Sequence, residues 1–415
     1  MSDTGRGSAA FQHRDFRLFW AGGLLEALAM NMMAVAIGWQ VYDLTGDPLD
    51  LGLIGLAEFL PLLLLALPAG HLADRLPRRA LFALMLCIDA AVALLLLALS
   101  ASGLSAVWPY FALALCTGVA SALGAPASRA MTPTLIPAET LPSAMALNAT
   151  GWQSAIVAGP ALGGLLFTVS AELVYGVAAA LSIAAVVCVL FVRERYRDPG
   201  LPERVSLQSL LAGVRLIRRT PVLLGAISLD LFAVFLGGAV ALTPVFAQDV
   251  LHVGPVGLGL LRSAPAVGAI VAGAILARRP VSRRAGPTLL VVVAGFGVSM
   301  ATFGFSRQMW LSLVALAGAG AFDMVSVVLR ATILPLVTPD ELRGRVNAVE
   351  MVFISGSNEL GAFESGVAAA LVGVVPAVVV GGLATVALAL VWPRVFPTLA
   401  RVDRLEELRP AEAPT

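Results

Sequence analysis

The sequence predicts an all-α membrane protein of twelve transmembrane helices in two pseudo-symmetric six-helix halves. Three observations carry that reading. The 415 residues are 59% hydrophobic and 13% charged, with a mean hydropathy of +0.91, and a water-soluble chain of this make-up lacks the polar residues to cover its surface. Apolar runs long enough to cross about 30 Å of hydrocarbon as helices lie near 16–42, 51–71, 80–100, 108–127, 144–168 and 174–192, then near 222–248, 256–277, 287–305, 309–330, 346–372 and 375–396. Short motifs of the first six runs return in the second six. Leu51-Gly52 recurs as Leu258-Gly259, Arg78-Arg79 as Arg283-Arg284, and Gly159 and Gly164 as Gly361 and Gly366, at offsets of 207, 205 and 202. A nearly constant offset is the mark of parallel repeats.

Taken in order, Met1 to Arg14 is polar and has no short apolar core ending in a cleavage site, so the first run reads as a retained helix. The second and third runs clamp a charged knot, Gly70-His71-Leu72-Ala73-Asp74-Arg75-Leu76-Pro77-Arg78-Arg79. The first half spans 1–192 and the second 222–396. Between them, 193–221 is the one sizeable polar stretch away from the termini. Within it Leu207, Leu210, Leu211, Val214 and Ile217 follow helical spacing after Ser206, a candidate N-cap. Two readings stay open there, an amphipathic helix on the cytoplasmic membrane surface and an unstructured linker. A cytoplasmic tail, 397–415, follows the last run. Assigning loops alternately to two sides puts every arginine on one side except Arg262, within a run, and Arg307. The positive-inside rule then places both termini in the cytoplasm.

All 27 basic residues are arginine. The absence of lysine excludes a Walker-type phosphate loop and Schiff-base chemistry. No HExxH, GxSxG or CxxC pattern occurs, so the chain is not expected to be an enzyme, to carry a cofactor or to bind a metal. Cys87, Cys116 and Cys188 are far apart within apolar runs and read as small buried hydrophobes.

The order G-x-x-x-D-R-x-x-R-R formed by Gly70, Asp74, Arg75, Arg78 and Arg79 resembles the signature loop between the second and third helices of major facilitator superfamily transporters. A topology anchor alone would also use these charges. The resemblance implies a gate in which Asp74 meets the start of the eleventh helix, where Thr338-Pro339-Asp340-Glu341 reads as a capping box with proline at N1. Pro77 stands where many members have glycine. In the fifth run, Gly159, Pro160, Gly163 and Gly164 resemble the G-P-x-x-G-G signature of the antiporter branch, with Ala155 where a further glycine is usual; generic small-residue packing is the alternative. The stretches Arg14 to Trp20, Leu260 to Gly268 and Ser357 to Gly366 resemble a bacterial siderophore-exporter branch of the same superfamily.

Ionisable residues inside spans are costly and mark functional sites. Here they are Glu26, Glu58, Asp89, Asp230, Arg262, Asp323, Glu359 and Glu364. Arginine keeps its proton and the three histidines lie at run edges, so any intramembrane proton carrier must be one of these carboxylates. The resemblance implies a central cavity lined by helices 1, 4, 7 and 10, which favours Glu26, Asp230 and Asp323; Asp89, on the third helix, reads as structural. Glu58, Asp230 and Glu364 are all available as counter-charges for Arg262. On the eleventh run Glu350, Ser357, Gly361 and Glu364 share a stripe, with Glu359 opposite.

The expected function is proton-coupled, alternating-access export of a small organic molecule, with a siderophore implied by the resemblance. A broad drug or macrolide efflux pump and a non-transporting membrane sensor or scaffold are the alternatives. Expected partners are the substrate, protons and the lipid bilayer of a bacterial cytoplasmic (inner) membrane, with no nucleic acid and a monomeric state.

Overall fold

A computed structural model of the protein describes residues 10–193, 207–281 and 283–408, without the side chains of 66, 67, 69–75, 207–210, 355 and 407. The side chains of Gly70's neighbours Asp74 and Arg75, the N-cap residue Ser206 and both chain ends therefore lie outside the described residues.

Helices account for nearly all of what is described. The first six spans are α1 (Arg14–Thr45), α2 (Pro48–Arg75), α3 (Arg78–Ala101), α4 (Trp108–Leu135), α5 (Leu141–Phe167) and α6 (Ala171–Leu190). A connecting helix, α7 (Leu207–Arg219), precedes α8 (Pro221–Gly237), which continues through irregular helical turns to Val250. Then come α9 (Gly254–Arg278), α10 (Ala285–Phe305), α11 (Met309–Val337), α12 (Arg343–Val372) and α13 (Val374–Val395). Among the described residues, ten helices are long and apolar enough to cross a membrane. Helices α5 and α12, of 27 and 30 residues, also have the length to cross one. Leucines and valines such as Leu64, Leu95, Leu165, Leu371 and Leu390 are exposed on the outer faces, an apolar surface that suits lipid and not water. Cys87 and Cys116 share that exposure and are not buried hydrophobes.

Several boundaries differ from the sequence reading. The charged knot is mostly helical: α2 runs through Arg75 and α3 starts at Arg78, so the break is Leu76-Pro77 alone. Proline has no backbone N–H and disfavours a helical residue before it; Pro77, at φ −58° and ψ 126°, turns the chain there. Thr338 makes no capping bond. Its hydroxyl is buried without a partner, and a single 3-10 turn, Asp340–Leu342, leads into α12. Helix α7 is strongly amphipathic, but its apolar side chains Leu216 and Ile217 are buried in a protein core with residues of α8, α10 and α11. A Cβ added at Gly213 would stand 2.8 Å from the Arg345 carbonyl of α12. The C-terminal part of that face is thus covered by protein, while Leu211, nearer its start, is exposed.

The helices form two compact units. One holds Met1–Gly46, Ala57–Arg204 and Pro255–Ser263; the other holds Asp47–Leu56, Val205–Gly254 and Ala264–Thr415. Within the first, α1 packs on α5 and α6, and α3 on α4 and α6. Within the second, α8 packs on α12 and α13, and α10 on α11 and α13. These are the same four pairings, repeated.

Small residues carry the closest approaches. In the first unit, a Cβ at Gly163 would stand 2.8 Å from the Met32 carbonyl of α1, and one at Gly159 would stand 2.5 Å from Asn31 Cβ. The other edge of α5 meets the first turns of α9: a Cβ at Gly164 would strike the Pro255 carbonyl and lie 3.2 Å from Gly259 Cα. The Ser263 hydroxyl donates to the Val157 carbonyl at 2.7 Å. In the second unit α12 repeats the scheme. A Cβ at Gly361 would be 3.0 Å from the Val234 carbonyl of α8, and one at Gly366 would be 3.2 Å from Gly52 Cα of α2.

Candidate functional site

The charged residues predicted inside the spans gather into separate groups. In the second unit, Arg330 of α11 is 5% exposed and lies 2.8 Å from Asp230 of α8 and 3.8 Å from Glu350 of α12. Asp323, two helical turns before Arg330, also lies within its electrostatic reach, and the Arg330 Nε approaches the Ser326 hydroxyl at 3.4 Å. One guanidinium thus faces three carboxyl groups. A cavity of about 10 Å³, lined by Asp230, Asp323, Ser326, Phe296 and Phe322 among others, borders the cluster and is close to the space one water molecule needs.

Arg330 is the residue the sequence reading misplaced. The apolar run near 309–330 ends at this residue, which the loop assignment counts with the arginines of one membrane side, yet α11 continues to Val337. The signal was present: Asp323, Ser326 and Arg330 recur at helical spacing, which puts them on one face once the helix is extended.

Glu359 and Glu364 do not join this cluster's ion pairs. The Glu359 carboxylate covers Gly55 of α2, where an added Cβ would stand 2.9 Å from its Oε2. Glu364 is half-buried beside the Ser365 hydroxyl. Glu350 and Gly361 face α11 and α8, so the two opposed faces of α12 serve different neighbours.

In the first unit, Glu26 of α1 is 4% exposed and Asp89 of α3 is 1% exposed. The two carboxyl groups face each other, with the fully buried Ser182 hydroxyl of α6 beside Glu26. Both oxygens of each acid and the Ser182 Oγ are without a hydrogen-bond partner of normal geometry. Asp89 therefore lies beside Glu26. Span order along the chain holds no signal for that meeting, because it depends on how α1, α3 and α6 pack. Glu58 of α2 acts on Asp89 and is also the carboxylate acting on Arg262 of α9. Of the three counter-charges open to Arg262, Glu58 is the one in its unit at this position; the Arg262 Nε itself is buried without a hydrogen bond.

The described arginines of the knot act locally. Arg78 donates to the Ala130 carbonyl of α4 at 2.9 Å, and Arg79 to the Val192 carbonyl after α6 at 2.7 Å. In the second unit the matching loop pairs with the chain after α13: Arg283 bridges Arg404, and the Arg284 N–H donates to the Asp403 carboxylate at 3.2 Å.

Comparison with known proteins adds to this geometry. The family model described as transmembrane secretion effector matches residues 6–410. Enterobactin exporter EntS of Citrobacter koseri is 28% identical over 344 residues, covering 81% of each chain, and that of Escherichia coli O157:H7 matches at the same identity and coverage. Among solved structures, a bacterial homolog of the human lysosomal transporter Spinster superposes with a TM-score of 0.70 at 14% identity, covering 96% of this chain and 98% of that one. The nucleoside transporter NupG gives 0.69 at 14%, covering 93% and 99%. At these identities the structural likeness shows the major facilitator fold.

Proposed function

We propose that this chain, which belongs to the transmembrane secretion effector family of major facilitator transporters, is a proton-coupled exporter of a small organic molecule, and that the molecule is a siderophore. It is a membrane transporter by family and fold. The observation that carries the proton-coupled reading is the Arg330 cluster. Asp230, Asp323 and Glu350 surround one guanidinium, and a buried charge left without a partner costs several kcal/mol. One arginine balances one acid. The remaining negative charge calls for mobile cations, and protons are the cations that carboxyl groups bind in a dry site. Alternating access would let these acids load from one side of the membrane and release to the other.

The siderophore reading is supported by the enterobactin exporters, which share 28% identity over most of the chain. The arginine distribution supports a bacterial cytoplasmic membrane with both termini inside. The chemistry asks for no cofactor.

Profiling the spent medium and the cell contents of an iron-starved deletion strain tests the substrate. Siderophore missing outside and accumulated inside is the expected result. Unchanged export would sink the siderophore reading.

A further inference from the structure

We infer that Glu26 and Asp89 form a carboxylic acid–carboxylate pair that binds one proton inside the first unit, apart from the Arg330 cluster. As a loading place for a transported proton, the pair rests on the proton-coupled reading above.

The geometry supplies the argument. The two acids come from α1 and α3, face one another, and are 4% and 1% exposed. Neither has a hydrogen-bond partner of normal geometry for either oxygen, and the Ser182 hydroxyl of α6, 0% exposed, lies beside Glu26 equally unsatisfied. Buried polar groups in folded proteins are hydrogen-bonded with few exceptions. Five unsatisfied oxygens in one place therefore mark a missing bridging species. Two ionised carboxylates in contact repel, so that species is a cation. The charged neighbours do not provide one: the group acting on Asp89 from α2 is Glu58, another acid, and Arg262 of α9 is engaged with Glu58. A proton meets that need. One carboxylate oxygen takes it as O–H and donates it to the facing carboxylate, while the Ser182 hydroxyl donates to a remaining lone pair. The pair goes from two negative charges to one, and releasing the proton reverses the step. Glu58 links this site to Arg262, so its occupancy is felt at the α9 segment that packs on α5.

The test uses the full-length protein in lipid nanodiscs and reads the C=O stretch of protonated carboxyl groups by pH-difference infrared spectroscopy. Among the carboxylic acid bands of the wild type, one component is expected that Glu26→Gln and Asp89→Asn both abolish, since one proton belongs to both residues. Ser182→Ala should keep that band and shift its frequency, and sodium added at constant pH should leave it unchanged. The absence of any component lost in both acid variants overturns the inference, as does removal of that component by sodium. If an acid variant fails to insert, an unshifted band in Ser182→Ala overturns it. Export measured in cells with and without a protonophore separates this from the function proposed above. Band behaviour as stated with gradient-independent export refutes proton coupling alone; gradient-driven export without that shared component refutes the pair alone.

Discussion

The guanidinium of Arg330 lies 2.8 Å from the carboxylate of Asp230, and the two side chains are 5% and 9% exposed. A pair this enclosed owes little to solvent screening, and its worth depends on both members being present. Glu350 at 3.8 Å and Asp323 within electrostatic reach make the arginine the common partner of three acids. Its removal strands all of them.

Arg330→Gln is therefore expected to destabilise the protein by about 3–5 kcal/mol, the usual cost of breaking a buried ion pair from one side. Adding Asp230→Asn removes one stranded charge and should recover part of the loss. Thermal unfolding of the detergent-purified variants checks this. Equal melting temperatures for the single and double variants would show that the two residues are not coupled.

The helix contacts make a second prediction. Gly164 meets Gly259, and Gly366 meets Gly52, each with an added Cβ 3.2 Å from the partner's Cα. Gly164→Ala also drives its Cβ into the Pro255 carbonyl and should cost about 1–3 kcal/mol as overpacking. Gly176→Ala in α6, with nothing within 4 Å of the new methyl, should be neutral or slightly stabilising. Comparable melting shifts for the two variants would contradict the packing scheme.

The glycine pairs show how much of the fold was legible in the sequence. Gly164 and Gly366 were matched as repeats, as were Gly52 and Gly259, from spacing alone; the structure puts the first pair's members against the second's in the same way in both units. The pattern of apolar runs likewise located the helices of both halves. It did not locate helix ends, because arginines can extend a helix as readily as stop it. The knot's break shrank to Leu76-Pro77, and Arg330 moved from a loop into α11. For the site, the sequence named the costly intramembrane acids, since a charge in an apolar run is visible by itself. Which acids meet depends on helix packing, so the meetings of Asp89 with Glu26 and of Arg330 with Asp230 had to come from the fold.

The charged knot divides into two roles that substitution can separate. Arg78 and Arg79 each bond a backbone carbonyl of their own unit. Losing one such charged hydrogen bond at a partly exposed site should cost about 1 kcal/mol. Arg79→Ala should lower the melting temperature while transport per folded molecule is kept. Asp74→Asn is expected to do the reverse, impairing transport with insertion unchanged, as the resemblance to the gate motif implies. Normal turnover in Asp74→Asn would reduce the knot to a topology anchor.

Glu58 and Arg262 form the fourth test. Glu58→Gln leaves Arg262 without the acid that acts on it, and an uncompensated buried charge is costly. The double variant Glu58→Gln with Arg262→Gln should be more stable than Glu58→Gln alone. Unfolding curves that rank the double variant lowest would show that Arg262 is balanced by another group.

Proton-coupled export is tested most directly by metabolite profiling of cells with and without the protein, each in the presence and absence of a protonophore. The account predicts a siderophore that leaves the cell only when both the protein and the proton gradient are present. A compound whose export needs the protein but persists after the gradient collapses would contradict it.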